Sequence, residues 1–126
     1  MQKVIIKTEN APMPIGPYNQ AILTGNMLFV SGQIGVNPKT KLMENNSIKE
    51  ETIRVLENVK AILNEVNMDF SNIIKATIFI TDMNNFSAVN EVYASYFLSD
   101  FPARECVEVS KLPANAKVEI SVISTK

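Results

Sequence analysis

Apolar positions along this chain change spacing several times, and each change marks an element. Residues 4–7 read as a first short strand, and residues 11–17 as a loop punctuated by Pro and Gly. Two apolar runs, 21–23 and 27–31, flank Thr24-Gly25-Asn26, a hairpin turn by composition. Asn37-Pro38-Lys39-Thr40 is a second turn. At Ser47 the period becomes helical. Ser47 and Glu50 have capping-box spacing, and Ile48, Val55, Val59, Ile62, Leu63 and Val66 form one apolar stripe. Over 74–81 the period returns to two, with Ile74, Ala76, Ile78 and Ile80 on one face and Lys75, Thr77, Phe79 and Thr81 on the other. A second helix is predicted from about 85 to 97, with Phe86, Val89, Tyr93, Tyr96 and Phe97 as its stripe. Two further strands follow, over 101–109 and 117–122.

The resulting order, β-β-β-α-β-α-β-β, predicts an α+β domain over 1–126: a mixed β-sheet with two helices packed on one face. The other sheet face is then bare in a single copy. Phe79 and Ile123 are expected on it, and an apolar bare face predicts an oligomer.

The last two strands each carry charge inside an apolar, β-branched pattern. Alternation puts Arg104, Cys106 and Glu108 on one face of the first. In the second, Val118, Ile120 and Val122 share a face, and Glu119 points the other way with Ser121. If the strands lie near one another, Arg104 and Glu119 converge on one pocket. Arginine grips a carboxylate in a fork, and glutamate moves protons. That pair suits an enzyme acting on a small carboxylic acid without metal or cofactor.

Composition narrows the chemistry further. The chain has 126 residues, no His, one Cys and a net charge of −1. Without His there is no Ser-His or Cys-His nucleophile and no His-ligated zinc or iron. No compact acidic cluster stands at metal-ligand spacing, and neither GxxxxGK[ST] nor GxGxxG occurs. The charge supplies no basic field for nucleic acid and no polybasic membrane anchor. No apolar run is long enough to span a bilayer, and the first residues lack the apolar core of a secretory signal. A single cysteine points to a reducing cytoplasm.

Four blocks carry a resemblance: Ile15-Gly16-Pro17-Tyr18-Asn19-Gln20-Ala21, Val30-Ser31-Gly32-Gln33-Ile34, Asn58-Val59-Lys60-Ala61-Ile62, and Phe101-Pro102-Ala103-Arg104-Glu105-Cys106-Val107-Glu108-Val109. In order and spacing they are similar to the RidA (YjgF) family of enamine/imine deaminases, over nearly the whole chain. The resemblance implies a chorismate-mutase-like fold, a homotrimer, and pockets between adjacent subunits. It implies cofactor-free hydrolysis of 2-imino acids, such as 2-iminopropanoate and 2-iminobutanoate, to 2-keto acids and ammonia. In the family such imines come from enamines released by pyridoxal-phosphate dehydratases, and their removal protects other pyridoxal-phosphate enzymes from 2-aminoacrylate. Arg104 matches the arginine that separates active deaminases from branches lacking it. By the same resemblance Glu119 orients water and shuttles protons, while Tyr18, Ser31, Gly32, Asn90 and Cys106 line or support the pocket. The segment Leu98-Ser99-Asp100 is shorter than in some relatives, which is expected to alter a loop and not the chemistry.

Each of these residues also has a plainer explanation. Arg104 alone would pass for a structural or surface ion-pair arginine, and Glu119 for an exposed strand residue. Cys106 reads as a small pocket-wall residue, although Arg104 nearby would favour a thiolate. Tyr18 could cap the core, Ser31 could satisfy a neighbouring backbone group, and Gly32 could serve a bulge. Asn90 could face solvent on its helix. Two functions compete with this one: a metabolite-binding regulator that uses the same pocket without turnover, and a chaperone-like or nucleic-acid-cleaving protein, activities the resemblance brings with it.

Overall fold

The computed structural model describes residues 2–126. Six strands form one sheet: β1 (Val4–Ile6), β2 (Ala21–Thr24), β3 (Met27–Gln33), β4 (Ile73–Ile80), β5 (Ala103–Glu108) and β6 (Val118–Thr125). Across the sheet the order is β1-β2-β3-β6-β4-β5. All neighbours are antiparallel except β4 and β5, which run parallel. That parallel pair requires a crossover, and α2 (Phe86–Ala94) supplies it. The long helix α1 (Ile48–Glu65) joins β3 to β4 and packs on β3, β6 and α2. The expected mixed sheet with two helices over one face is therefore present.

The boundaries of α1 have local causes. Ser47 is extended, and its Oγ accepts the Glu50 N–H at 3.1 Å. Only this half of the expected capping box forms; Glu50 returns no side-chain bond among the described residues. At the far end Asn67 adopts a left-handed φ of 59°. The Asn67 N–H then donates to Asn64 O and the Met68 N–H to Leu63 O, a Schellman closure with Asn in place of the usual Gly. Between these ends Val55, Leu56, Val59, Ile62 and Leu63 are buried against the sheet.

Alternation is kept along β6, where Val118, Ile120 and Val122 enter the core. In β4 one expectation fails. The pairing of β4 with β6 shifts register between Ile73 and Lys75, so Ile73 is buried and Ile74 faces solvent. A shift of this kind moves the side chain to the other face. The second helix is also shorter than its apolar stripe. It ends at Ala94, and Tyr96 and Phe97 pack beyond it, with ring centroids 5.0 and 5.5 Å from that of Phe70.

The second sheet face is bare in the single chain. Register aligns Ile5, Ile22, Phe29 and Ile123 across four strands, and Phe79 with Val107 at the other edge. Phe29 and Val107 are each 43% exposed, more than a buried core position tolerates. Phe79 and Ile123 lie on this face as expected. Among the described residues no helix is long and apolar enough to cross a membrane.

Candidate active site

The residues singled out above fall into two groups. The first surrounds Glu119. β3 pairs Val30 with Val122 and Gln33 with Ile120, so three steps on β3 face two on β6. The extra residue is a bulge at Ser31-Gly32, which bends the strand beside Glu119. Two bonds anchor the bulge: Ser31 Oγ donates to Asn19 O at 2.6 Å, and the Ser31 N–H donates to Gln20 O at 2.9 Å. Gly32 leaves room for the carboxyl, because a Cβ on it would stand 2.6 Å from Glu119 Oε2. The Tyr18 hydroxyl accepts the Ile15 N–H at 3.3 Å, which holds the ring at the mouth. Together these residues line a cleft of about 340 Å³, completed by Ile15, Ile34 and Pro113.

Glu119 is half-buried on this apolar wall. Burial pushes its carboxyl above the usual carboxylate range, and no cation opposes that among the described residues. A half-buried carboxyl with a raised pKa, held in a cleft, is a candidate proton carrier.

The second group surrounds Arg104 on the edge strand β5. Arg104 Nη1 donates to Asn90 Oδ1 at 2.7 Å. The guanidinium carbon sits 5.0 Å from the centroid of Tyr93 and 5.7 Å from that of Phe86. Phe86, Asn90 and Tyr93 are spaced four and three residues apart on α2, so one helix face grips the guanidinium. Its remaining N–H groups make no bond among the described residues, which leaves the fork for an anion. Cys106 follows on the same face. Burial raises its thiol pKa, and Arg104 only partly counters that, so the thiol form dominates. Glu108, expected on that face, is drawn away to accept the Met83 N–H at 2.7 Å.

Within one chain the two groups do not meet. β5 and β6 are not neighbours; both flank β4. Arg104 aligns with Ala76, whose side chain enters the core under the helices, while Glu119 aligns with Phe79 on the bare face. Positions 76 and 79 have opposite parity, so Arg104 and Glu119 project from opposite faces. The structure thus brings Tyr18, Ser31, Gly32 and Glu119 together, brings Asn90, Arg104 and Cys106 together, and keeps the two sets apart.

Sequence reading missed Ile15, Ile34 and Pro113 as cleft walls and took Phe86 and Tyr93 for core alone. The Leu112-Pro113-Ala114-Asn115 turn did carry a signal, since Pro and Asn favour turns. There Ala114 and Asn115 both adopt left-handed φ, 56° and 57°.

Comparison with known proteins matches the chain over nearly its whole length. The family model described as "Endoribonuclease L-PSP" matches residues 8–126. A RutC family protein of Pyrococcus horikoshii is 51% identical over 124 residues, covering 98% of each chain. The 2-iminobutanoate/2-iminopropanoate deaminase of the goat, Capra hircus, is 43% identical over 122 residues, covering 97% of this chain and 89% of its own. The crystal structure of Escherichia coli TdcF with bound serine superposes with a TM-score of 0.95 at 42% identity, covering 98% of this chain and 99% of that one. With the family model matching residues 8–126 and the fold shared with these neighbours, this chain belongs to the endoribonuclease L-PSP family, the Rid (YjgF) family of its solved neighbours.

Proposed function

We propose that the protein is a cofactor-independent 2-imino acid deaminase. Its substrates would be 2-iminopropanoate and 2-iminobutanoate, which reach it from enamines that pyridoxal-phosphate dehydratases release. The observation that carries this reading is the division of labour between the two groups. Arg104, fixed by Asn90 through Nη1, keeps its other N–H groups without a partner among the described residues, and Glu119 presents a half-buried carboxyl that has no cation partner among them. A 2-imino acid needs one of each: a grip for its carboxylate and a proton carrier for its C=N bond.

In the reaction Glu119 accepts a proton from water as the water oxygen adds to the imine carbon. It then returns the proton to nitrogen, giving a carbinolamine; Glu119 next takes the carbinol O–H proton as the C=O bond forms and delivers it to the departing nitrogen, so the C–N bond breaks and ammonia and a 2-keto acid are released. Atoms balance: imino acid plus water gives keto acid plus ammonia. Because the two groups lie on opposite sheet faces, the substrate would sit where the Arg104 edge of one copy meets the Glu119 cleft of a second. The homotrimer of the family offers such a place, and the bare face with Phe29, Ile123 and Phe79 supplies an apolar surface for assembly.

Cleavage of nucleic acid, suggested by the family description, has less support in these residues. The chain has a net charge of −1 and no His. Backbone binding draws on a basic surface that this composition does not supply. A metabolite-binding regulator is the stronger second reading, favoured by the serine bound to TdcF. One assay separates the two. A pure dehydratase generates the imine in place, and ammonia and keto-acid release are followed with and without the protein. Acceleration that Arg104→Ala removes supports the enzyme. Binding of keto acid with no acceleration supports the regulator.

A further inference from the structure

Helix α1 supplies no side chain to either group described above, yet two of its buried polar side chains, Glu51 and Asn58, reach across to other segments, while buried Thr52 bonds only within the helix. Seven residues apart, they lie two turns apart on one face. Glu51 Oε2 accepts the N–H groups of Lys117 at 2.7 Å and Val118 at 3.3 Å. Asn58 Nδ2 donates to the carbonyls of Ile34 at 3.0 Å and Val36 at 2.9 Å. Glu51 thus accepts from N–H groups and the Asn58 NH₂ donates to carbonyls, while the buried Asn58 Oδ1 has no partner among the described residues.

Both targets border the Glu119 cleft. Lys117 and Val118 immediately precede Glu119, and Ile34 is part of the opposite wall. Gly35 is pressed against the helix, because a Cβ on it would stand 2.8 Å from Glu51 Cγ and 3.2 Å from Glu51 O. Just upstream of Lys117, the turn that places Pro113 in the wall holds Ala114 and Asn115 in left-handed conformations. Non-Gly residues keep such a conformation only where surrounding contacts hold them there.

We propose that Glu51 is a positioning residue for the reaction: it fastens the start of β6 to α1 and so holds the Glu119 carboxyl across Gly32, while Asn58 fastens the facing wall. This deepens the deaminase reading and rests on Glu119 acting on the substrate.

The test compares three variants of the full-length protein with the parent. Glu51→Leu removes the acceptor at similar volume. Glu51→Asp keeps the charge but withdraws it by one methylene. Glu51→Gln keeps an acceptor oxygen in place. Misplacing a catalytic group by about an ångström costs up to ~10²-fold, so kcat should fall at least about tenfold in the Leu and Asp variants. KM for the imine and Kd for 2-ketobutyrate should hold, because Arg104 sits on another strand. Glu51→Gln should recover most of the lost kcat. Amide hydrogen exchange at Lys117 and Val118 should quicken in the Leu and Asp variants while β4 stays protected. Equal kcat in Glu51→Asp and Glu51→Gln would overturn the proposal, as would loss of kcat only in proportion to unfolded protein. Should Glu51→Leu not fold, the Asp and Gln pair decides alone. If the parent turns over no imine, the deaminase reading fails by itself. Exchange in Glu51→Asp then decides the rest, and amides as slow as the parent's would show that Glu51 does not place β6.

Discussion

Glu119 occupies the space in which a side chain on Gly32 would begin. A Cβ there would lie 2.6 Å from Oε2, 2.7 Å from Cδ and 3.0 Å from Cγ of Glu119. All three atoms belong to the far part of a flexible side chain, so the backbone can tolerate a methyl group that the carboxyl cannot.

Gly32→Ala should therefore leave the fold nearly intact and displace Glu119. Imine turnover is expected to fall about 10²-fold, the low end of what positioned proton transfer contributes. Circular dichroism melting beside the coupled deaminase assay checks this. Unchanged turnover would mean that the position of Glu119 is irrelevant to the chemistry.

Arg104 and Glu119 should fail in different ways. Arg104→Ala removes the carboxylate grip, whose charge-assisted bonds are typically worth ~1.5–3 kcal/mol each. Arg104→Lys should remain poor, because a point charge does not reproduce the planar fork or its stacking on Tyr93 and Phe86. Glu119→Gln should still bind 2-ketobutyrate while losing turnover. Calorimetric titration of that keto acid into each variant reads the difference. Parent-like binding by Arg104→Ala would place the pocket elsewhere.

Cys106→Ser should keep most activity. Burial holds the Cys106 thiol protonated, and the chain has no His to activate it. The assay is the same coupled reaction, with light scattering to show an unchanged assembly. Complete loss in an intact assembly would point to a covalent intermediate on sulfur.

The pH response follows from the direction of the Glu119 shift. Its folded pKa lies above the unfolded value, so the folded protein binds the proton more tightly than the unfolded chain. Ionisation of Glu119 thus works against the fold at neutral pH, and this penalty disappears as pH falls below the unfolded value near ~4.3. Glu119→Gln is expected to melt higher than the parent at neutral pH, with the gain shrinking in acid. As a base, Glu119 must be ionised, so turnover should rise with pH through a limb above the ordinary glutamate value. Melting and rate profiles across this range test both signs. A lower melting point for Glu119→Gln at neutral pH would contradict them.

Assembly and activity should be lost together. Light scattering of the parent should give about three chain masses, as a closed cyclic assembly would. Phe29→Glu puts a charge on the apolar line through Ile22 and Ile123, and should yield monomers. Those monomers should be inactive, since each keeps Arg104 and Glu119 on opposite faces. An active monomer would show that one chain builds the whole site.

Much of this molecule follows from local pattern. Val118, Ile120 and Val122 point inward and Glu119 outward because successive side chains in a strand oppose one another, whatever the rest of the chain does. The stripe of α1 and its cap at Ser47 are equally local, and so is the bare face with Phe79 and Ile123. Arg104 and Glu119 stood out as candidates because charge inside a β-branched run is costly unless it is paired or used. What could not be read was how these pieces meet. Strand order inserted β4 between β5 and β6 and gave Arg104 and Glu119 opposite parity, which separates them within one copy. The irregular pairing at Ile73 turned Ile74 outward, and the bulge at Ser31-Gly32 made room for a carboxyl from another strand. Nothing in the local pattern marked Glu51, whose two N–H partners at the start of β6 come 66 and 67 residues later. Periodicity records which way a side chain points from its own backbone; what it points at is settled by contacts between distant segments, and those form only when the sheet closes over α1.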